Sequence, residues 1–106
     1  MKDLEKSPEL KRLEKNLTVD LLWIYILSIL KEKKLHAYAI RKKIEEKFSF
    51  KVGNVTSYVV LYKLEANGFV ESKKDGNRKV YTITTQGKQL FKEAENRMKK
   101  KIKMVF

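Results

Sequence analysis

Apolar and polar positions alternate along the chain in a way that divides it into segments. After Ser7-Pro8, leucines recur at 10, 13 and 17. That spacing predicts an amphipathic first helix, with Ser7 as its N-cap and Pro8 at its first position. Thr18 is the expected cap of a second helix, with Asp20 favourable in its first turn. Residues 19–32, VDLLWIYILSILKE, are apolar on nearly all sides. The β-branched and aromatic content at Ile24, Tyr25 and Ile26 would also suit a buried strand, but the length of the run and its lack of turn residues favour a helix. Such a helix is buried on more than one face. Its own core accounts for one face, and a second subunit is the simple covering for the other.

Lys33 and Lys34 suit the end of that helix, and His36 the start of the next. Ala39, Ile40, Ile44 and Phe48 make its stripe, with Arg41, Lys42, Lys43 and Lys47 mostly off it. FSFKVGN reads as a turn closed by Gly53-Asn54. A further helix is expected over residues 54–67, with Leu61 and Leu64 inward and Val60 or Ser57 on the preceding turn. Gly68 is placed to end it. Two short strand-like runs then flank Asp75-Gly76, a favoured turn pair, and predict a hairpin held to the core by Tyr81 and Ile83. Beyond Thr84-Thr85, a last helix runs to residue 106 with Leu90, Phe91, Ala94, Met98, Ile102 and Val105 on one stripe. The lysines at 99–101 and 103 match the sign of a helix C-terminus.

Charge changes the picture most. The 106 residues carry 25 basic against 13 acidic side chains, a formal net charge of +12. That excess points to a polyanionic partner, double-stranded DNA first and an anionic membrane surface second, rather than to lysines that merely aid solubility. The length suits one domain, and the 42% apolar content suits a modest core. A chain this short buries a limited fraction of its surface, so a partner subunit would help. There is no cysteine, which excludes disulfides. The longest apolar run, Leu21 to Leu30, is roughly half of what a bilayer requires. The N-terminal residues lack the apolar centre of a signal peptide. The expectation is a cytoplasmic protein without a membrane partner.

The order helix, short helix, turn, helix, basic hairpin, long helix is that of a winged helix-turn-helix. The expected fold is mainly α with a small β-hairpin, extended by N-terminal and C-terminal dimerisation helices. It is laid out as one DNA-binding domain over 1–106: a helix at 1–17, the winged core at 18–84, and the last helix at 85–106. The helix from residue 54 would enter the major groove with its first turns at base edges. Asn54, Thr56, Ser57, Tyr58 and Lys63 are its expected contacts, with Tyr38 beside them. Lys73, Lys74, Asn77, Arg78 and Lys79 would reach flanking phosphates from the hairpin. Tyr62 is assigned to packing, as is Trp23 in preference to a ligand pocket. The lone His36 makes no metal site, and no cofactor is expected. No nucleophile–histidine–carboxylate set or phosphate loop occurs, so the chain does not read as an enzyme.

Three stretches resemble the PadR-type transcriptional regulators. In ILSILKEKKLHAYAIRKKIEEKF, the residues Leu35, His36 and Tyr38 match the family's pattern, with Ala37 in place of its glycine. In TSYVVLYKLEANGFVES, Thr56, Tyr58, Leu61, Leu64, Glu65 and Gly68 match. In RKVYTITTQGKQL, Arg78, Lys79, Tyr81, Thr84 and Gly87 match. The chain departs at Val55, where the family has glycine, and at Val59, where it has proline. MarR-like regulators share the hairpin but match the first two stretches less well. The resemblance covers about Leu22 to Gln89 and is to members with a short C-terminal region, leaving no room for a separate effector domain. It implies a homodimeric repressor, often released by a small-molecule effector at the dimer interface. It also implies dimer contacts from the last helix and the N-terminal helices, here Leu22, Trp23, Ile26, Leu90, Phe91, Ala94, Met98 and Ile102. Two other functions suit the charge or the fold: a DNA coater without sequence preference, and a winged-helix module that binds proteins.

Overall fold

Ser7 and Pro8 start the first helix as their chemistry requires. In the computed structural model, which describes residues 3–106, α1 spans Pro8–Leu17 and the Ser7 hydroxyl accepts from the Leu10 N–H at 3.2 Å. Met1 and Lys2, at the head of the expected 1–17 segment, lie outside the described residues. Thr18 does not cap the next helix. Its hydroxyl turns back and donates to the Glu14 carbonyl at 2.7 Å, and a short 3-10 turn, Val19–Leu21, intervenes before α2 at Leu22–Glu32. A threonine hydroxyl that bonds four residues back is unavailable to the N–H groups ahead of it.

The helices α3 (Ala37–Phe48) and α4 (Asn54–Ala66) follow, then a hairpin and α5 (Thr85–Val105). Leu35–His36 forms a two-residue strand β1, and His36, expected at a helix start, is also the N-cap residue of α3. It pairs antiparallel with β3 (Arg78–Ile83), which also pairs with β2 (Val70–Asp75), giving the sheet order β1-β3-β2. Asp75 is not a corner of the turn: it pairs across the ladder with Arg78. The two loop residues are Gly76 and Asn77, and only Gly76 has positive φ, at 66°. That is the requirement of a type II′ turn, which places glycine first.

Leu22, Ile26, Leu27 and Leu30 of α2 meet Ile40 and Ile44 of α3, Leu61 and Leu64 of α4, and Val70, Tyr81 and Ile83 of the sheet in one core. The FSFKVGN turn joins it, since Phe50 and Phe48 stack edge-on against Tyr25, both with ring centroids 4.9 Å away. The wing is therefore fixed at its base by Tyr81 and Ile83. At its exit the Thr84 hydroxyl caps α5 by accepting from Gly87 N–H at 3.0 Å and donates to the Gly68 carbonyl at 2.7 Å. One side chain thus ties the end of α4 to the start of α5. Among the described residues no helix is long and apolar enough to cross a membrane.

Candidate nucleic-acid interface

The phase of α4 decides which of its residues can meet a ligand. Leu61 and Leu64 are buried, and Ser57, one turn earlier on the same face, is buried with them at 1% exposure. Ser57 was expected at base edges; the 3.6-residue period carries it into the core instead. Asn54, Thr56, Tyr58 and Lys63 are exposed. Tyr62, expected to pack, is 73% exposed, and Val55 stands out at 77%. α4 runs unbroken from Asn54 to Ala66 through Val55 and Val59.

Every expected wing residue, Lys73, Lys74, Asn77, Arg78 and Lys79, is exposed. Among the described residues none of the four cations has an ion-pair partner. Lys74 and Lys79 face each other across the ladder, a like-charge pair that costs stability in isolation. The one carboxylate at the tip, Asp75, lies 3.2 Å from Nε2 of His36, so it is engaged toward β1. The sequence carried no local sign of that contact, since the partners are 39 positions apart.

Between α3, α4 and the wing lies an open cleft of about 420 Å³, with Tyr38, Tyr58 and Tyr62 on one side and Asn77, Arg78 and Lys79 on the other. Tyr81 closes its base, and burial, then the neighbouring Glu65 carboxylate and Tyr58, raise its hydroxyl pKa above the ordinary value. Glu65 itself accepts from the Ser72 hydroxyl at 2.6 Å, which joins α4 to β2. Arg41, not singled out from sequence, lies over the Tyr38 ring with its guanidinium carbon 5.6 Å from the centroid. Its Nε is buried without a hydrogen-bond partner among the described residues, and the side chain as a whole is half-buried. The convergence of aromatic hydroxyls, amides and unpaired cations suits phosphate and base-edge contacts.

The residues expected at a subunit contact divide into two groups. Leu22 and Ile26 are enclosed in this protomer's own core, at 1% and 0% exposure, and are corrected to that role. They lie on the face of α2 that meets α3 and α4. Trp23, Leu90, Phe91 and Ala94 are half-buried where α2 meets α5, and Met98 and Ile102 are exposed further along α5. Trp23 lines two apolar clefts, of about 390 and 460 Å³, one shared with Val60 and Phe69 and the other with Ala94 and Met98. On the polar side of α5, Lys92 and Lys99 reach Glu95 at 3.0 and 3.1 Å and hold its carboxyl below the ordinary range.

Comparison with known proteins places this geometry. Residues 26–93, more than half of the chain, match the transcriptional regulator PadR-like family. A transcriptional regulator from Clostridium thermocellum is 27% identical with a TM-score of 0.75, over 79% of this chain and 88% of that one. A PadR family transcription regulator from Clostridium difficile is 29% identical with a TM-score of 0.68, over 78% and 91%. A PadR family regulator from Eggerthella lenta shares the fold over 93% and 94% of the two chains, with a TM-score of 0.75 at 22% identity. No curated protein matches the chain. Family and structural neighbours alike are transcription regulators rather than enzymes. The chain belongs to the PadR-like family of transcriptional regulators and carries its DNA-binding winged-helix fold.

Proposed function

We propose that the protein is a homodimeric, sequence-specific DNA-binding repressor. In this reading α4 lies in the major groove and the wing follows the flanking backbone. The observation that carries it is the wing tip, where Lys73, Lys74, Arg78 and Lys79 are exposed, have no ion-pair partner among the described residues, and include two lysines that oppose each other. Self-repulsion of that kind is relieved when phosphates supply the counter-charge. Tyr38, Asn54, Thr56, Tyr58 and Lys63 are the contacts from the helices, and Asn77 adds an amide donor at the tip.

Two features support the dimer. The ten-residue α1 exposes Leu10, Leu13 and Leu17, and its main contacts are with the short turns that flank it. A helix of that length is marginal alone in water, so a partner's apolar face would stabilise it. The second half of α5 exposes Met98 and Ile102 on one stripe. Leu90, Phe91 and Ala94 continue that stripe, Trp23 of α2 lies beside it, and the apolar clefts at Trp23 are where a small-molecule effector would enter. Repression would follow from occupying a site that polymerase needs, with residues 1–106 acting as one unit and working in the cytoplasm.

Selection of bound DNA from a random pool tests the reading, followed by titration of the selected site against salt. The expected result is a self-complementary motif with half-sites about one turn, roughly 34 Å, apart. Lys73→Ala with Arg78→Ala should weaken binding on all sequences and reduce the salt slope by about 2 per protomer, about 4 for a dimer with both wings engaged. An unchanged slope would remove the wing from the interface. Equal retention of all sequences would favour the coater, which the net charge of +12 would also suit.

A further inference from the structure

The outermost line of α4 is apolar. Opposite the buried Ser57, Leu61 and Leu64, the helical period brings Val55, Val59, Tyr62 and Ala66 into one stripe, all exposed. Val55 is 77% and Val59 47% exposed. Among the described residues both are exposed, and Tyr62, beside them on this ridge, lines the cleft toward the wing. Large apolar side chains at the crest of a surface helix call for a partner.

The residue types on the rest of the helix narrow the choice. Guanine is read chiefly by arginine or lysine and adenine by asparagine or glutamine. α4 contains no arginine and no glutamine; its one lysine, Lys63, and its one asparagine, Asn54, sit off the ridge. The apolar feature that the major groove offers is the thymine 5-methyl group, which projects from the groove floor. The basic wing beside α4 favours a polyanionic occupant over an apolar protein surface.

The geometry points to thymine methyl groups as the ligand of this ridge, with Val55 and Val59 as specificity-determining residues. The inference rests on α4 being the major-groove helix. Each methyl removed from water against a valine favours thymine over a base lacking it by about fourfold.

Deoxyuridine keeps the pairing edge of thymine and lacks only the methyl, so it serves as the probe. A site is first selected from a random pool, and its thymines are then replaced singly by deoxyuridine. Replacement at two or more positions per half-site should weaken binding by about fourfold each, while replacement outside the footprint changes nothing. V55A with V59A should bind the thymine and uracil sites about equally. It should bind the uracil site about as tightly as the unaltered protein does. Both positions are exposed, and alanine is the best helix former, so the fold is retained; a circular dichroism melt verifies this. If uracil is tolerated everywhere in a selected site, the methyl readout is wrong while the sequence-specific reading stands. Undiminished discrimination in the double variant would likewise remove the two valines from the readout and leave the ridge to a protein partner. If the pool yields no enriched sequence, both readings fall together.

Discussion

Gly87 shows how one position can decide the course of the chain. A Cβ built there would lie 2.1 Å from the Phe69 carbonyl oxygen and 2.8 Å from Ile83 Cγ1. The first turn of α5 can press against the end of the wing because that atom is missing. The same Phe69 carbonyl accepts from the Thr84 N–H at 3.1 Å, so it cannot withdraw without breaking a second contact. Helix propensity alone favours alanine over glycine here. Sterics oppose it, and the obstacle is backbone rather than a mobile side chain. G87A should therefore destabilise by about 1–3 kcal/mol despite its better propensity. Q86A, one residue earlier and exposed, should stay within about 0.5 kcal/mol. Urea unfolding of the two variants side by side measures the difference; an unchanged midpoint for G87A would mean that α5 can shift away freely.

At the scale of elements, α1 depends on a tether rather than on packing in its own protomer. The Tyr25 hydroxyl of α2 donates to the Leu17 carbonyl at the end of α1. Burial, and then the Glu14 charge, raise its pKa above the ordinary value near 10.0. The folded state therefore favours the protonated hydroxyl, the form that can donate. The stabilisation is complete below the ordinary tyrosine pKa and is lost as pH rises through the raised folded value. Y25F keeps the ring against Phe48 and Phe50 but loses the donor. It should cost about 0.5–1.5 kcal/mol at neutral pH and remove that part of the alkaline loss. Difference titration of stability between the two proteins isolates this group from the other tyrosines and the lysines. The elements that were legible in the sequence were those set by local chemistry: the Ser7-Pro8 start, the helix beginning at Asn54 and the start of the last helix at the Thr84-Thr85 pair, of which the fold makes Thr84 the cap. β1 was not legible, because a two-residue strand exists only through its pairing with Tyr81 and Val80, more than forty positions away. Thr18 and Ser57 failed for a related reason. A polar side chain can serve a helix end, an earlier carbonyl or a core contact, and the packing of neighbouring elements chooses among them. The candidate interface followed the same rule: its wing lysines were visible as a charge cluster around a turn, while the His36–Asp75 contact and the Arg41–Tyr38 stack required the fold.

The shape of the whole molecule bears on its assembly. Its Cα radius of gyration is 15.5 Å and its extents are 56 × 27 × 21 Å. A compact chain of this length would have a radius near 13 Å by the usual scaling. The elongation is consistent with a 21-residue α5 and an α1 that lacks broad packing against the body. Exposed apolar stripes on both helices bring a hydration cost that a second copy would remove. Two symmetric copies would also supply the fixed separation that a two-fold DNA site demands. The prediction is a dimer of twice 12.6 kDa by light scattering after size exclusion. M98E with I102E places two carboxylates on the exposed stripe of α5 and should shift the mass to that of one chain. The winged core would remain folded, because neither side chain belongs to the central cluster. The monomer should still bind a half-site through α4 and the wing, but lose the steep gain in affinity that two linked half-sites provide. A double variant that remained dimeric would direct attention to α1, whose Leu10, Leu13 and Leu17 offer the alternative seam. A wild-type mass of one chain at all concentrations would instead mean that these stripes serve another partner, and that any two-fold operator is read by two independent molecules.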